Sequence, residues 1–320
     1  MAGNVVVVGA GIIGCAVARE LAIHGVACTV FDPRPVGGGA TQASAGMLAP
    51  HVEAHERGPL LDLAVRSLAL YDDWIAAVRG ESGSDIEYRR IGTLEMPGNR
   101  SIPEHGYVDP GQLAAALARA AERGGVRFVR ARVERIERAH TFFRITTVSG
   151  TFEAEHVVIA AGAWANTIEG VRTPPVRPVR GQLLHLGWTA KPLATIVWGP
   201  QCYVVPRSDG TVLVGATVED VGFDERSTAQ GVQSLLTAVC DLLPAAREAS
   251  FLDVRVGLRP ATPDELPAIG PDADAPGLIH ASGHYRNGVL LAPVTAKIVA
   301  DLVIDGQTAI ALEAFRPGRF

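Results

Sequence analysis

The chain has 320 residues, 48% hydrophobic and 20% charged, with a formal net charge of −5. That length suits roughly two domains of about 100–200 residues each. No apolar run approaches the ~20 residues of a membrane span, and no basic face points to nucleic acid as a partner.

Residues 4–32 read NVVVVGAGIIGCAVARELAIHGVACTVFD. Four valines in a row suit a strand buried on both faces of a parallel sheet. Gly9, Gly11 and Gly14 follow at G-x-G-x-x-G spacing, then a helical pattern over 12–24, a second strand over 26–31 and Asp32 at its end. Gly9 serves the tight turn, Gly11 lets a pyrophosphate approach the backbone, and Gly14 lets helix and strand pack closely. Free N–H groups and the positive dipole end of the helix face the phosphates, and Asp32 is placed to accept a ribose hydroxyl. The order of these parts predicts a dinucleotide site without saying which dinucleotide.

The Gly-rich stretch 36–50 is too poor in apolar side chains for a core and reads as a loop lying close to a ligand. Residues 60–78 read as an amphipathic helix with Leu61, Ala64, Val65, Leu68, Tyr71 and Ile75 on one face. Residues 86–108 read as short and irregular. Asp109 caps a helix that has Pro110 at its first position and runs to 122 before a double glycine. A strand over 128–138, a hairpin of 142–148 and 151–154 around Ser149-Gly150, and a buried parallel-type strand over 157–162 follow. From 176 to 218 the pattern changes to antiparallel β segments, then a helix over 228–243. Residues 255–270 return towards the nucleotide domain, and a strand at 277–282 and a helix over 289–305 close the chain. The expected fold is therefore α/β with two domains. A Rossmann-like nucleotide domain is made of residues 1–49, 104–175 and 255–320, and an inserted antiparallel-sheet domain of 50–103 and 176–254. Cys15, Cys28, Cys202 and Cys240 form no CxxC pair and read as buried free thiols in a reducing cytosol. The first strand begins at once, so no signal peptide is expected.

Several longer strings carry a resemblance: ATQASAGMLAP (40–50), YRRIGTLEM (88–96), VDPGQL (108–113), RPVRGQLL (177–184), CYVVPRSDGTVLVGAT (202–217), GLRPATPDELPAIG (257–270) and GHYRNGVLLAPVTA (283–296). With these, nearly end to end, the chain resembles the FAD-dependent D-amino-acid oxidase and DadA-like amine oxidoreductase superfamily, most of all its glycine oxidase (ThiO-type) branch. The resemblance implies FAD rather than NAD and a fold of the glutathione-reductase-2 and D-amino-acid-oxidase type. It implies hydride transfer from the α-carbon of an amino acid to flavin N5, imine hydrolysis, and reoxidation by O2 to give H2O2. One departure stands out. Glycine oxidases usually carry a sizeable extra segment between Met96 and Asp109, and here PGNRSIPEHGY (97–107) bridges the gap. The pocket mouth should be more open, which a bulkier N-substituted glycine would use.

Flavin chemistry needs few acid–base residues but does need a carboxylate clamp, and planar arginine suits both carboxylate oxygens. Arg259, in GLRP, matches the family's clamp position; its plainer alternative is a domain-closing ion pair with Asp264 or Glu265. Tyr203 matches a pocket tyrosine able to hydrogen-bond the same carboxylate; a packed strand tyrosine is the alternative. Arg286 sits in the turn beneath the flavin, and Met47 lines the pocket beside it, although methionine also serves as core filler. The resemblance assigns cofactor contacts to Gly9, Gly11, Ile12, Ile13, Gly14, Asp32, Pro33 and Arg34. Ala40, Thr41, Ser44, Gly46 and Met47 run past pyrophosphate and isoalloxazine. Val133 meets adenine through its backbone, and Ala161, Gly162 and Trp164 follow the last parallel strand. Gly283, Arg286, Asn287, Gly288, Val289 and Leu290 bring a helix N-terminus to the flavin's pyrimidine edge, where it stabilises an anionic reduced flavin. His284 reads as a turn histidine with structural hydrogen bonds. No cysteine lies at GLRP, so FAD should be non-covalent, and no metal is expected. The implied enzyme is a cytoplasmic oxidase of glycine or an N-substituted glycine that forms a homo-oligomer. It releases glyoxylate, ammonia or a primary amine, and H2O2, in specialised biosynthesis. The alternatives are a glycine oxidase of thiamine biosynthesis and a D-amino-acid dehydrogenase with an acceptor other than O2.

Overall fold

The computed structural model describes residues 3–53 and 57–320, the break falling within the segment 50–103 expected on the substrate side. The chain opens with β1 (Val5–Val8), α1 (Ile12–Ile23), β2 (Cys28–Phe31), a 3-10 turn at Ala40–Ala43, β3 (Met47–Leu48), α2 (Pro50–Glu53) and α3 (Pro59–Ser82). Where the sequence suggested irregular chain, four short strands form: β4 (Tyr88–Arg89), β5 (Thr93–Glu95), β6 (Arg100–Ile102) and β7 (Gly106–Val108). Two or three residues are too few for an alternating pattern to register. Then come α4 (Pro110–Arg123), β8 (Arg127–Val129), β9 (Val133–Ala139), β10 (Phe142–Thr147), β11 (Gly150–Ala154) and β12 (His156–Ile159). The remainder is β13 (Arg177–Gly187), β14 (Ile196–Trp198), β15 (Tyr203–Pro206), β16 (Thr211–Gly215), α5 (Ala229–Leu242), β17 (Ser250–Ala261), β18 (Ala268–Pro271), β19 (Leu278–Ser282) and α6 (Gly288–Ile304).

Six strands form one sheet in the order β18-β19-β12-β1-β2-β8, parallel except for β18. β1 lies near its centre and is buried on both faces, as its four valines require. Val5 and Val7 join the cluster packed with α1, α3, α4 and α6, while Val6 and Val8 join the cluster beneath the β9-β10-β11 sheet. α4 starts as its sequence dictates: the Asp109 carboxylate accepts from Gln112 N at 2.8 Å, with Pro110 at the first position.

Two expectations are corrected. The strand read over 128–138 is two strands, because β8 ends the parallel sheet and β9 starts the antiparallel sheet packed over it. The buried face of α3 is turned from the one expected: Leu63, Ser67, Trp74 and Val78 are buried along with Ala64, Leu68, Tyr71 and Ile75, whereas Val65 is exposed.

The second large sheet has the order β17-β13-β16-β15-β14-β5-β6, and β17 begins five residues before the boundary expected at 255. Its strands alternate sides. Leu184, Leu186, Val204, Val212 and Val214 pack under α5 with Leu235 and Val239. Leu183, Val205 and Leu213 face the other way, with Ala45 and Tyr107. That second face turns towards the C-terminal ends of β1, β2 and β12. β3, β7 and β4 form a small sheet beside it.

Candidate active site

A cavity of about 420 Å³ lies where those C-terminal strand ends meet the second sheet, the place where open α/β sheets bind ligands. At its nucleotide end Gly9 takes φ +113, and a Cβ there would strike the carbonyl of Ala160. A Cβ at Gly14 would strike the carbonyl of Gly9, so α1 packs directly on the turn. At Gly11 a Cβ would meet only Thr41 Oγ1, at 3.6 Å, on the cavity side. These are the conditions for a pyrophosphate to approach the start of α1, whose first-turn N–H groups have no intrahelical acceptor. Thr41 Oγ1 accepts one of them, Ile12 N, at 3.1 Å. Asp32 braces the turn: Oδ2 accepts from Ala10 N and Oδ1 from Arg34 N, each at 2.8 Å. Each oxygen keeps a second lone pair for a ribose hydroxyl.

Arg34 lines the cavity and also holds a distant loop. Its Nη1 and Nη2 donate to Glu225 Oε1 and Oε2 at 2.8 and 2.7 Å, and its Cζ lies 4.1 Å from the Trp164 ring centroid. Phe223, from the same loop as Glu225, lies 6.0 Å from Trp164 on the ring centroids. The cavity continues past Val133, Ala161 and Gly162 to Ala40, Ser44, Gly46 and Met47. Gly46 has φ +70, and its carbonyl accepts from Val108 N at 3.0 Å, which ties β3 to β7.

α6 presents its N-terminus to the far half of the cavity through Gly288 and Val289. Pro293 lies inside this helix and has no N–H to give to the carbonyl of Val289, four residues earlier. The Tyr71 hydroxyl of α3 donates to that carbonyl instead, and Ser67 Oγ donates to Leu290 O at 2.6 Å. Gly283 and Arg286 line the cavity, with Arg286 Cζ 5.4 Å from the Tyr285 ring centroid. His284 Nε2 pairs with Thr295 Oγ1 at 3.1 Å, and burial pushes its imidazole down to about 3. It stays neutral at physiological pH.

On the second sheet, Tyr203 and Arg259 line the same cavity from β15 and β17. Each occupies space left by a glycine on a neighbouring strand. A Cβ on Gly215, the register partner of Tyr203, would lie within 3.0 Å of the tyrosine's ring and hydroxyl. A Cβ on Gly181 would lie within 3.0 Å of Arg259 Cζ and both terminal nitrogens. Arg259 Nη1 donates to Thr217 O at 3.0 Å and to Arg180 O at 3.4 Å. Asp264, one of the two ion-pair partners that the sequence offered beside Glu265, pairs with Arg319 at 2.7 Å.

Three residues expected at the cofactor stand behind the cavity wall: Gly14 against the turn, Asn287 at the N-cap of α6, and Leu290 inside that helix. Among the residues sequence reasoning missed are Gly181, Gly215, Trp198, Gln201 and Cys202. The string WGPQCY offered one signal, a Gly-Pro turn that returns the chain into Tyr203. Trp198 stacks on Tyr203 with ring centroids 5.7 Å apart, and burial holds the Cys202 thiol up at about 11. All four cysteines are free. Among the described residues no helix is long and apolar enough to cross a membrane.

The family model described as FAD dependent oxidoreductase matches residues 4–102 and 98–302, the two stretches meeting at β6. The bifunctional protein ThiO/ThiG of Synechocystis sp. is 36% identical over 358 residues, covering 99% of this chain and 54% of that protein. The chain thus spans about half the length of the curated relatives matched first. The glycine oxidase of Geobacillus kaustophilus is 35% identical over 361 residues, 98% of this chain and 96% of the relative. Both alignments are longer than the chain itself. The crystal structure of glycine oxidase from Geobacillus kaustophilus superposes with a TM-score of 0.94 at 33% identity, covering 99% of each chain. That of iminodiacetate oxidase from Chelativorans sp. BNC1 superposes with a TM-score of 0.89 at 27% identity, covering 98% of each.

Proposed function

The chain belongs to the family of FAD-dependent oxidoreductases, and on that premise we propose that it oxidises glycine or an N-substituted glycine. The products are glyoxylate, ammonia or a primary amine, and H2O2. The observation that carries the reading is the pairing of Arg259 and Tyr203 on one wall of the cavity, each in space left by a glycine of the neighbouring strand. Arg259 grips the substrate carboxylate in bidentate fashion, and the Tyr203 hydroxyl bonds the same group. Met47 and Arg286 border the α-carbon's position from the opposite wall. Bound FAD would supply the hydride acceptor for the α-carbon and the route of the electrons to O2. Gly9, Gly11 and Asp32 would hold its adenosine diphosphate half, and Gly288 and Val289 would lie at its ring, with non-covalent attachment expected. Under this reading His284 takes no proton, because it is buried, neutral and paired with Thr295.

The N-substituent lies along Trp198. Met96 N donates to the backbone Trp198 O at 2.7 Å, and Trp198 packs against the cluster that contains Ile102 of β6, so the strands joined by the shortened β5-β6 connection flank this residue. The relatives' additional residues and the division of the family match at residues 98–102 support a mouth opened there. Residues 1–49, 104–175 and 255–320 mainly serve the cofactor and 50–103 and 176–254 the substrate, while Met47 of β3 and Arg259 of β17 reach the substrate pocket from the first division. The enzyme works in the cytoplasm as a homo-oligomer; four unpaired thiols suit a reducing compartment.

The matches to bifunctional ThiO/ThiG proteins favour a second reading, in which glycine itself is oxidised for thiamine biosynthesis. Peroxide release measured over glycine, sarcosine, N-benzylglycine, N-carboxymethyl amines and D-amino acids separates the two. The first reading expects the N-alkylglycines to exceed glycine in kcat/KM, and the second expects glycine to lead. Release from D-amino acids alone, or flavin reduction without peroxide, would sink both.

A further inference from the structure

Behind the wall that carries Arg259 lies a partly buried polar cluster with no place in the reaction as described. Arg180 and Gln182 of β13 are 4% and 0% exposed. Groups buried to that degree must be fully paired. Arg180 Nε donates to Glu219 Oε2 at 3.1 Å, its Nη2 donates to the same oxygen, and its Nη1 meets Asp224 at 3.0 Å. Gln182 Nε2 donates to Glu219 Oε1 at 2.8 Å and to Thr228 Oγ1 at 2.9 Å. The Thr217 hydroxyl accepts from Gln182 N at 2.8 Å and donates to Glu219 Oε1 at 2.6 Å. Three residues thus converge on one carboxylate. Burial works against its charge, but hydrogen bonds from Arg180, Thr217 and Gln182 outweigh that and hold the Glu219 carboxyl below the usual range.

The backbone of the same residues holds Arg259. Glu219 N donates to Arg180 O at 3.0 Å, and Thr217 N to Gln182 O at 3.2 Å. The carbonyls of Thr217 and Arg180 are the two that accept Arg259 Nη1. A bidentate arginine works only when the guanidinium plane is fixed to within roughly 10–20°. Two carbonyls on one nitrogen fix that plane only if they themselves stay in place.

We propose that Glu219 is a positioning residue for the carboxylate clamp: by tying Arg180, Gln182 and Thr217 together it sets the plane in which Arg259 meets the substrate. The inference rests on the clamp role of Arg259 in the proposed function. Glu219→Gln puts an amide N–H₂ among donors and removes the charge opposite Arg180. KM for the preferred glycine then rises about tenfold, the factor for misplacing one charge-assisted hydrogen bond, with kcat within twofold and flavin content unchanged. Acetate, added as a probe of the clamp, loses affinity by the same factor while neutral acetamide does not. Glu219→Asp, which keeps the charge, recovers part of the loss. Thr217→Val deletes the hydroxyl and keeps the carbonyl; it gives a smaller change in the same direction and carries the test if Glu219→Gln fails to fold. Equal weakening of acetate and acetamide, or an unchanged KM in both variants, overturns the proposal. Arg259→Leu, run beside them, separates the two levels. If it leaves acetate binding intact, the clamp itself falls; if it abolishes acetate binding while the other variants do not weaken it, only the positioning role falls.

Discussion

Gly181→Ala adds one methyl group at a position 78 residues from Arg259 and tests the clamp without replacing it. The new Cβ would fall within 3.0 Å of Arg259 Cζ, Nη1 and Nη2, where ordinary contact begins at 3.4 Å. The guanidinium must therefore retreat by about 1 Å to reach a favourable carbon separation. A carboxylate bond of about 2.8 Å stretched that far lies outside hydrogen-bond range. Losing one charge-assisted bond costs about 1.5–3 kcal/mol, so KM rises roughly 10- to 100-fold. The fold should tolerate the change, because the atoms met are the far end of a flexible side chain. Alanine in a strand also relieves about 0.5–1 kcal/mol of the entropy cost that glycine carries. The assay is steady-state peroxide release, with flavin content and Tm measured on the same preparation. A variant with wild-type KM and unchanged Tm would refute the placement of Arg259 as the clamp.

Trp198→Ala should shift selectivity rather than destroy activity: the kcat/KM ratio of N-benzylglycine to glycine falls by about tenfold or more, as removal of an aromatic wall implies. An unchanged ratio would move the N-substituent elsewhere. Gly14→Ala sets a Cβ against the carbonyl of Gly9, where neither backbone can yield, so the purified protein should lack FAD or fail to fold; full flavin occupancy would contradict that packing. Acidification should destabilise the holoenzyme before the carboxylates titrate. Burial, and then nearby His51, depresses His105 to about 4, and burial depresses His284 to about 3, against 6.5 in an unfolded chain. The unfolded state therefore binds protons that the folded state refuses, and stability is full above about 6.5 and lost as pH falls towards 4. Tm followed from pH 7 to 4.5 should decline, with a shallower decline in His105→Gln; a flat profile would exclude both histidines.

The nucleotide end of the cavity was legible because its requirements are local. Within residues 4–32, Gly9 and Gly14 clear space for neighbours a few residues away or on the adjoining strand, and Asp32 reaches back to Ala10 N. The six residues 9–14 together with Asp32 suffice to read such a turn. The strand read over 128–138 failed for the opposite reason. Nothing in Arg130, Ala131 and Arg132 breaks a β pattern, and only the change of partner from β2 to β10 divides it into β8 and β9. α3 was found, but its buried face follows from what α6 needs. Ser67 and Tyr71 are buried to serve the first-turn carbonyls of a helix more than 200 residues later.

The substrate end depends throughout on such cross-strand conditions. Gly181 and Gly215 look like ordinary sheet glycines until β17 and β15 bring Arg259 and Tyr203 beside them. Resemblance could name Arg259 and Tyr203, but not the vacancies that let them enter the cavity or the Glu219 cluster behind them. The same logic locates selectivity. If Arg259 is the clamp as proposed, Gly181, Gly215 and Glu219 act on the carboxylate, which every substrate of this class shares, and leave little freedom for discrimination. The β5-β6 connection beside Trp198 touches no shared group. A change in length there alters what fits on the amine while the clamp, the nucleotide turn and the α6 terminus remain as they are. Grafting a longer connection between Met96 and Arg100 should therefore lower kcat/KM for bulky N-alkylglycines and leave glycine turnover and FAD affinity unchanged. Loss of glycine turnover in such a graft would mean that the connection and the clamp are not independent.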